Sequence, residues 1–260
     1  MGKKITISLL QMRIVPGNVS KNLEKACSLV KMARDEGAEL AVLPEMFSSG
    51  FYYTDMKGVS GETPAVISHL GKLCREMRIS LVFSVPENDG SAIFNTAYVI
   101  GRDGKRKGKY RKVHLFGLFM EDDYFSRGNE TALISLPSLK VAPLICYDLR
   151  FPEISRKMTL SGAEVIVYCS QWPKERLFHF RTLLQARAIE NQLYVIAANG
   201  CGKSGKIELA GHSMIVSPLG DILMDCGRKE GCYTATIDKD EILQFRRMMP
   251  CLKDRHPEAY

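Results

Sequence analysis

The sequence of 260 residues sets 36 Lys and Arg against 29 Asp and Glu, a net charge of +7, with 45% hydrophobic and 25% charged residues. These are globular proportions, ample for one large domain, and no stretch approaches the ~18 apolar residues of a membrane-crossing helix. The eight cysteines include no C-x-x-C pair and fit a reducing, cytoplasmic setting rather than a disulfide framework, while the five histidines are too scattered for a metal site.

Residues 3–10 read as a first strand. Their apolar run is too short for a secretory signal, and the strand accounts better for Met1-Gly2 and Thr6 than the myristoylation pattern they formally fit. A turn at Pro16-Gly17-Asn18 leads into a helix over 20–36, with Leu23, Cys27, Val30 and Ala33 on one stripe; Gly37 stops it. A short buried strand follows at 40–43, then a helix over 65–75 and a strand over 80–85. Strands 96–101 and 105–112 pair through the hairpin dipeptide Asp103-Gly104. The basic run RDGKRKGKYRK within them reads as a solvated hairpin, not a nucleic-acid patch. Beyond a strand over 139–146, Pro152 opens a helix. Strand 164–169, a helix striped by Leu177, Phe180, Leu184 and Ala188, and strand 193–198 come next. Strands 214–217, 222–224 and 233–237 close the sheet-forming part. Helices interleaved with apolar strands and hairpins predict a mixed-sheet α/β fold in a single domain over 1–246. The polar tail 247–260 either crosses to a partner subunit or lies over its own.

Three reactive side chains each follow a strand: Glu45 in LPEMFSSGF, Lys112 in YRKVHLF and Cys146 in ICYDLRFPE. Ligands of open α/β sheets bind at the carboxyl ends of strands. A cysteine at a strand-to-helix turn projects its sulfur upward and offers backbone N–H groups to an oxyanion. Each residue alone has an ordinary explanation: a surface glutamate, a solvated lysine, a core cysteine.

In order and spacing, those segments resemble the three signature segments of the nitrilase superfamily. QWPKERLFHFRTLLQARAIENQLYVIAAN resembles the block that follows the cysteine in its amidase branches. The resemblance implies an α-β-β-α sandwich, thiol-ester chemistry, and a triad on Glu45, Lys112 and Cys146. It also implies a second glutamate after the lysine, which falls on Glu121, although Asp122 and Asp123 stand beside it. In that chemistry Glu45 takes the thiol proton. Lys112 stabilises thiolate and oxyanion, with the Tyr147 backbone N–H as second donor. Glu45 or Glu121 activates water, and no metal or organic cofactor is required.

CYDLRFPE with QWP and ARAIENQ is most similar to the bacterial ω-amidase group, whose substrates are ω-amides of 2-oxo acids such as 2-oxoglutaramate and 2-oxosuccinamate. Such a pocket needs a fixed cation; Arg176 is the candidate, with a solvated arginine at a helix start as the plain alternative. Trp172 should roof the pocket, and Phe47 and Phe119 are further candidates for its lining. An N-carbamoyl-amine or deaminated-glutathione amidase would share the triad with a larger pocket. A binding or regulatory subunit with the same fold would lack catalysis. The expected partner is a small-molecule amide, with no nucleic acid and no membrane. The family pattern implies a homodimer or larger homo-oligomer, pairing through 153–161 and 176–189. The glycine-rich Gly200–Lys206 stretch mimics a phosphate-binding loop, but Ile207 replaces the needed hydroxyl and a strand pattern follows, so it reads as a hairpin loop.

Overall fold

A computed structural model describes residues 4–259. Met1–Lys3 and Tyr260 lie outside the described residues, and with them the Met1-Gly2 pattern and the first residue of the expected strand 3–10. The first half of the chain forms β1 Lys4–Gln11, α1 Val19–Asp35, β2 Leu40–Val42, α2 Met56–Gly61, α3 Thr63–Met77, β3 Ser80–Asn88, β4 Ile93–Ile100, β5 Arg106–Arg111 and α4 Glu121–Tyr124. The second forms β6 Ile134–Ser135, β7 Lys140–Ile145, α5 Pro152–Leu160, β8 Val165–Ser170, α6 Leu177–Asn191, β9 Tyr194–Asn199, β10 Cys201–Ser204, β11 Ile207–Ala210, β12 Met214–Val216, β13 Ile222–Asp225, β14 Gly231–Asp238 and α7 Asp240–Met248.

The strands make two six-stranded sheets, ordered β14-β1-β2-β3-β4-β5 and β13-β12-β9-β8-β7-β6, plus the β10-β11 hairpin. Each sheet has three parallel strands at its centre: β1, β2 and β3 in one, β7, β8 and β9 in the other. Their residues alternate between two buried faces. Ile5, Ile7 and Leu9 of β1 meet Val165, Val167 and Cys169 of β8 in a core between the sheets. Leu81, Phe83 and Val85 of β3 turn outward under α1 and α3. Ile166 and Tyr168 of β8 turn the other way, under α5 and α6. This α-β-β-α layering explains why the central strands are apolar without alternation: both faces are covered, and each large aliphatic side chain buried there contributes roughly 1.5–3 kcal/mol. The parallel strands carry their chain to one common edge, and there the sheets touch: the Glu45 N–H, just beyond β2, donates to Ser170 O at the end of β8 at 3.4 Å.

Some details differ from the sequence pattern. The buried stripe of α1 is Val19, Asn22, Ala26, Leu29, Val30 and Ala33, with Leu23 and Cys27 only partly covered. The displacement follows from Asn22, whose amide bonds Val15 O and Ser48 O at 2.8 Å each and draws its face inward. The glycine-rich stretch is the expected hairpin, pairing Cys201 with Ala210 and Ser204 with Ile207. Helix α7 was not expected. Arg246 in its last turn donates to Gln192 O at 3.2 Å, and just past it Met249 O accepts from the Gln192 side chain at 2.6 Å, so the end of α7 lies over the end of α6.

Candidate active site

Glu45 is fully buried. Its backbone is clamped by the Ser170 contact and by Gln171, whose side-chain amide donates to Glu45 O at 2.8 Å. Asn95, inside β4, donates to Glu45 Oε1 at 2.8 Å and accepts from Ser84 at 2.7 Å; Ser84 in turn accepts from the Met46 N–H at 3.1 Å. Lys112 follows β5, and its backbone is tied to Asn95 O and the Gly128 N–H, each at 2.8 Å. Gly128 is required: an added Cβ would lie 2.1 Å from Arg111 O. The Lys112 ammonium donates to Glu45 Oε1 at 2.8 Å and lies 2.8 Å from the Glu121 carboxylate. Glu121, at the start of α4, accepts the Phe116 N–H at 3.2 Å.

A buried ammonium between two carboxylates leaves one negative charge in excess. Burial pulls Lys112 down, but Glu121, Glu45 and the neighbouring sulfur outweigh it and hold the ammonium well above its ordinary pKa. Glu121 carries the excess: burial pushes its carboxyl up, Lys112 pulls it down, Glu45 pushes it up again, and it stands at about 7. Glu45 Oε2 has no hydrogen-bond partner among the described residues.

Cys146 opens a 3-10 turn, Cys146–Arg150, directly after β7. Its φ of 42° is a left-handed value rare for a non-glycine residue, a conformation that costs of order 1–3 kcal/mol unless its surroundings enforce it. Asp148 does the enforcing. Fully buried, it accepts the Ile145 N–H at 2.9 Å, the Tyr110 hydroxyl at 2.8 Å and the His114 N–H at 3.3 Å, and it contacts His114 Nδ1 at 2.8 Å. His114 stacks on Phe151, centroids 3.8 Å apart. The cysteine turn and the lysine segment are thereby locked together. Burial and then Glu45 push the Cys146 thiol well above its ordinary range, while Lys112 and the Gln171 backbone N–H pull it down. The upward direction favours the thiol form, for which attack needs a base to accept the proton.

Of the residues singled out from the sequence, Glu45, Phe119, Glu121, Cys146, Tyr147, Trp172 and Arg176 line one cavity, while Lys112 lies behind it, in contact with Glu45 and Glu121. Phe51, Phe116, Arg150 and Gln171 also line it and were not anticipated. Trp172 donates its indole N–H to Cys146 O at 3.4 Å. Arg150 lies 4.7 Å from the centre of the Trp172 ring, and Arg176 lies 5.1 Å from that of Phe116. Burial, then the charge of Arg176, pulls the Arg150 guanidinium below its ordinary value. Phe47 is a correction: it is fully buried and packs edge-on against Phe83, centroids 5.6 Å apart, in the core beneath the site. Among the described residues no group of three or more His, Cys, Asp or Glu side chains could hold a metal ion.

The signal for Arg150 was present, since it closes the turn that Cys146 opens. Asn95 left a fainter one, an asparagine inside a strand, where that residue is depleted.

Residues 6–247 match the family model described as carbon-nitrogen hydrolase. The 2-oxoglutaramate amidase of Bacillus subtilis (strain 168) is 38% identical over 259 residues, covering 99% of this chain and 100% of that protein. Omega-amidase NIT2 of Xenopus tropicalis is 33% identical over 270 residues, covering 99% of this chain and 97% of that protein. Among solved structures, a carbon-nitrogen hydrolase from Helicobacter pylori G27 superposes with a TM-score of 0.94 at 27% identity, covering 99% and 97% of the two chains. A mutant amidase from Nesterenkonia sp. AN1, described as carrying the acetamide moiety of fluoroacetamide covalently at its active site cysteine, gives a TM-score of 0.85 at 28% identity, covering 96% and 97%.

Proposed function

The chain belongs to the carbon-nitrogen hydrolase family, and we propose that within it this enzyme is an omega-amidase, cleaving the terminal amide of small 2-oxo acids such as 2-oxoglutaramate and 2-oxosuccinamate. Cys146 is the nucleophile. As its sulfur attacks the amide carbon, Glu45 Oε2, the oxygen left without a donor, takes the thiol proton. Lys112 and the Tyr147 N–H face the oxyanion; the first N–H groups of a helical turn have no acceptor within it. On collapse the C–N bond breaks, and the nitrogen takes the proton from Glu45 and leaves as ammonia. Water then adds to the thioester while Glu45 or Glu121 accepts its proton, the C–S bond breaks, and the acid departs from a restored thiol.

One observation carries the substrate class. Arg150 and Arg176 line the cavity above the thiol; Arg150 contacts His179 Nδ1 at 3.4 Å and Arg176 the Phe116 ring, and neither has a carboxylate partner among the described residues. A desolvated substrate carboxylate needs such a partner, because an unpaired buried charge is very costly. The names of the Bacillus and Xenopus relatives agree with this reading. Ammonia release from 2-oxoglutaramate and 2-oxosuccinamate, set against butyramide and an N-carbamoyl amine, tests it. The two 2-oxo-acid amides should be preferred, and preference for either of the others overturns the assignment.

A second reading, an amidase of deaminated glutathione, has one observation in its favour. The cavity over Cys146 holds only about 20 Å³, but an apolar chamber of about 320 Å³ adjoins it and shares Phe51, Phe119 and Gln171. A substituent on the amide nitrogen could extend there.

The proposal includes a homodimer or larger homo-oligomer in the cytoplasm. Leu160 of α5 and Phe178 and Ile189 of α6 are exposed apolar residues in the segments expected to pair. All eight cysteines are free, which suits a reducing compartment. Among the described residues no helix is long and apolar enough to cross a membrane.

A further inference from the structure

The sheet edge opposite the active site carries a second polar concentration. Arg34 lies in the last turn of α1, Arg75 in the last turn of α3, and Arg78 caps that helix. Arg102 stands at the turn between β4 and β5. With Glu39 and Asp103 these four arginines line one open groove of about 640 Å³. All four are exposed, and none of their guanidiniums has a hydrogen bond or ion pair among the described residues. The two carboxylates are occupied elsewhere: Glu39 accepts from Ser138 at 2.9 Å, and Asp103 pairs with Lys107 at 2.7 Å. Arg78 and Arg102 also border an adjoining cavity with Ser80 and Ser138; the Ser138 hydroxyl is committed to Glu39, which leaves the Ser80 hydroxyl as a donor beside the guanidiniums.

Helix C-termini favour a basic residue in the last turn, which accounts for Arg34 and Arg75. It does not account for the other two. Arg78 has a φ of 53° at a helix end where glycine is the favoured residue. Arg102 approaches from a different element, brought in because α3 and the β4–β5 turn meet at Gly71 and Gly104, where any Cβ would collide with the facing carbonyl.

The geometry points to a binding site for a compact, multiply charged phosphate chain, distinct from the amidase site. Guanidinium forks match phosphate oxygens two at a time. Four of them against two engaged carboxylates leave a surplus of positive charge for an anion of several charges. Among the described residues no aromatic side chain lines the groove, so a base has nothing there to stack on, and the phosphate chain itself is the recognised part. The groove lies at the entry ends of β2 and β3, while Glu45 lies beyond the exit end of β2, so the two sites occupy opposite edges of the same sheet.

Calorimetry with sodium tripolyphosphate on the full chain at low salt tests this. Saturable binding with a dissociation constant on the order of micromolar is expected, weakened about tenfold or more in Arg78→Gly and in Arg75→Ala/Arg102→Ala. Arg78→Gly keeps the fold testable, since glycine suits that positive φ, and its thermal midpoint should not fall. Amide hydrolysis should be unchanged in every variant. Lys253→Ala/Arg255→Ala, which removes the same charge elsewhere, should bind like the parent. ATP binding through the same arginines identifies the chain as part of a nucleotide; binding of tripolyphosphate alone identifies a free one. Absence of saturable binding at millimolar ligand, equal weakening in the tail variant, or tighter and equally sensitive binding of an RNA oligonucleotide overturns the proposal, the last in favour of a nucleic-acid surface.

Discussion

Asn95 and Glu45 are joined by one hydrogen bond, Nδ2 to Oε1 at 2.8 Å, and Lys112 donates to the same oxygen. Two donors on Oε1 orient the carboxylate and leave Oε2 without a partner among the described residues. Asn95 is therefore expected to set which oxygen takes the proton. Asn95→Ala removes a hydrogen bond to a charged group, about 1.5–3 kcal/mol. It should lower kcat by about 10- to 100-fold with little change in KM, read by steady-state ammonia release. A KM effect alone would show that Asn95 acts on binding instead.

Cys146 holds a φ of 42°, which links nucleophile and backbone strain. Cys146→Ala and Cys146→Gly should both abolish hydrolysis while folding is retained. Glycine tolerates that φ without a Cβ penalty, so despite its smaller side chain the glycine variant should match or exceed the alanine variant in stability, by about 1 kcal/mol. Thermal melts of the two compare them directly. Mass spectrometry of the parent enzyme during turnover should find the acyl group on the peptide that contains Cys146, and an adduct on any other cysteine contradicts the assignment.

Glu121 links the site to pH. Burial chiefly, opposed by Lys112, raises its pKa from 4.5 to about 7. Between those values the folded state holds a proton that the unfolded chain has released. Stability from this group therefore falls as pH rises from about 4.5 to about 7, by on the order of 3 kcal/mol at most. Glu87 acts in a different window: burial pushes it up, but Arg111 and Lys109 hold it at about 2, so its contribution is lost only as pH falls below about 4.5. Denaturant titrations of the parent and Glu121→Gln across this range should show a shallower decline in the variant. Parallel curves would remove Glu121 as the source.

The proposed oligomer has a simple check. Light scattering at micromolar concentration should give at least twice the 29.2 kDa chain mass. Ile189 is 49% exposed on α6, and Ile189→Asp should shift the mass toward the monomer, because a charge buried in an apolar interface is costly. A monomeric parent refutes the proposal.

Glu45 and Cys146 were legible because each follows an apolar strand, and Lys112 because it ends the basic hairpin strand just before VHLF; the layered fold places those ends at one edge. Glu121 followed from counting along a loop. What escaped depends on backbone direction. Phe47 looked like pocket lining, but Met46 adopts a φ of 49° and the Phe47 N–H bonds Ser84 O at 3.1 Å, with the ring turned toward Phe83. Asn95 was hidden because the pattern of β4 marks a buried strand without saying which residue faces the glutamate across the sheet. Arg150 was in plain view within ICYDLRFPE, yet only the tight 3-10 turn brings its guanidinium back over the thiol's cavity.

The pairing of Arg150 with Arg176 yields the sharpest test of substrate class. Both line the cavity, and the charge of Arg176 is one cause of the depressed pKa of Arg150; two cations that close are relieved by an anion between them. Arg176→Ala and Arg150→Ala should each raise KM for 2-oxosuccinamate, by about 2 kcal/mol or ~30-fold for these partly buried groups, the lower end of what a lost charge partner costs. Butyramide, with no carboxylate, should change by no more than about threefold. Arg150→Lys should restore little, because an ammonium cannot reproduce a two-point grip. If charged and uncharged amides weaken equally in either arginine variant, that residue shapes the pocket without reading the carboxylate. If both variants leave 2-oxosuccinamate unaffected, the substrate class is wrong, while the proposed roles of Glu45, Lys112 and Cys146 would still have to be judged on their own substitutions.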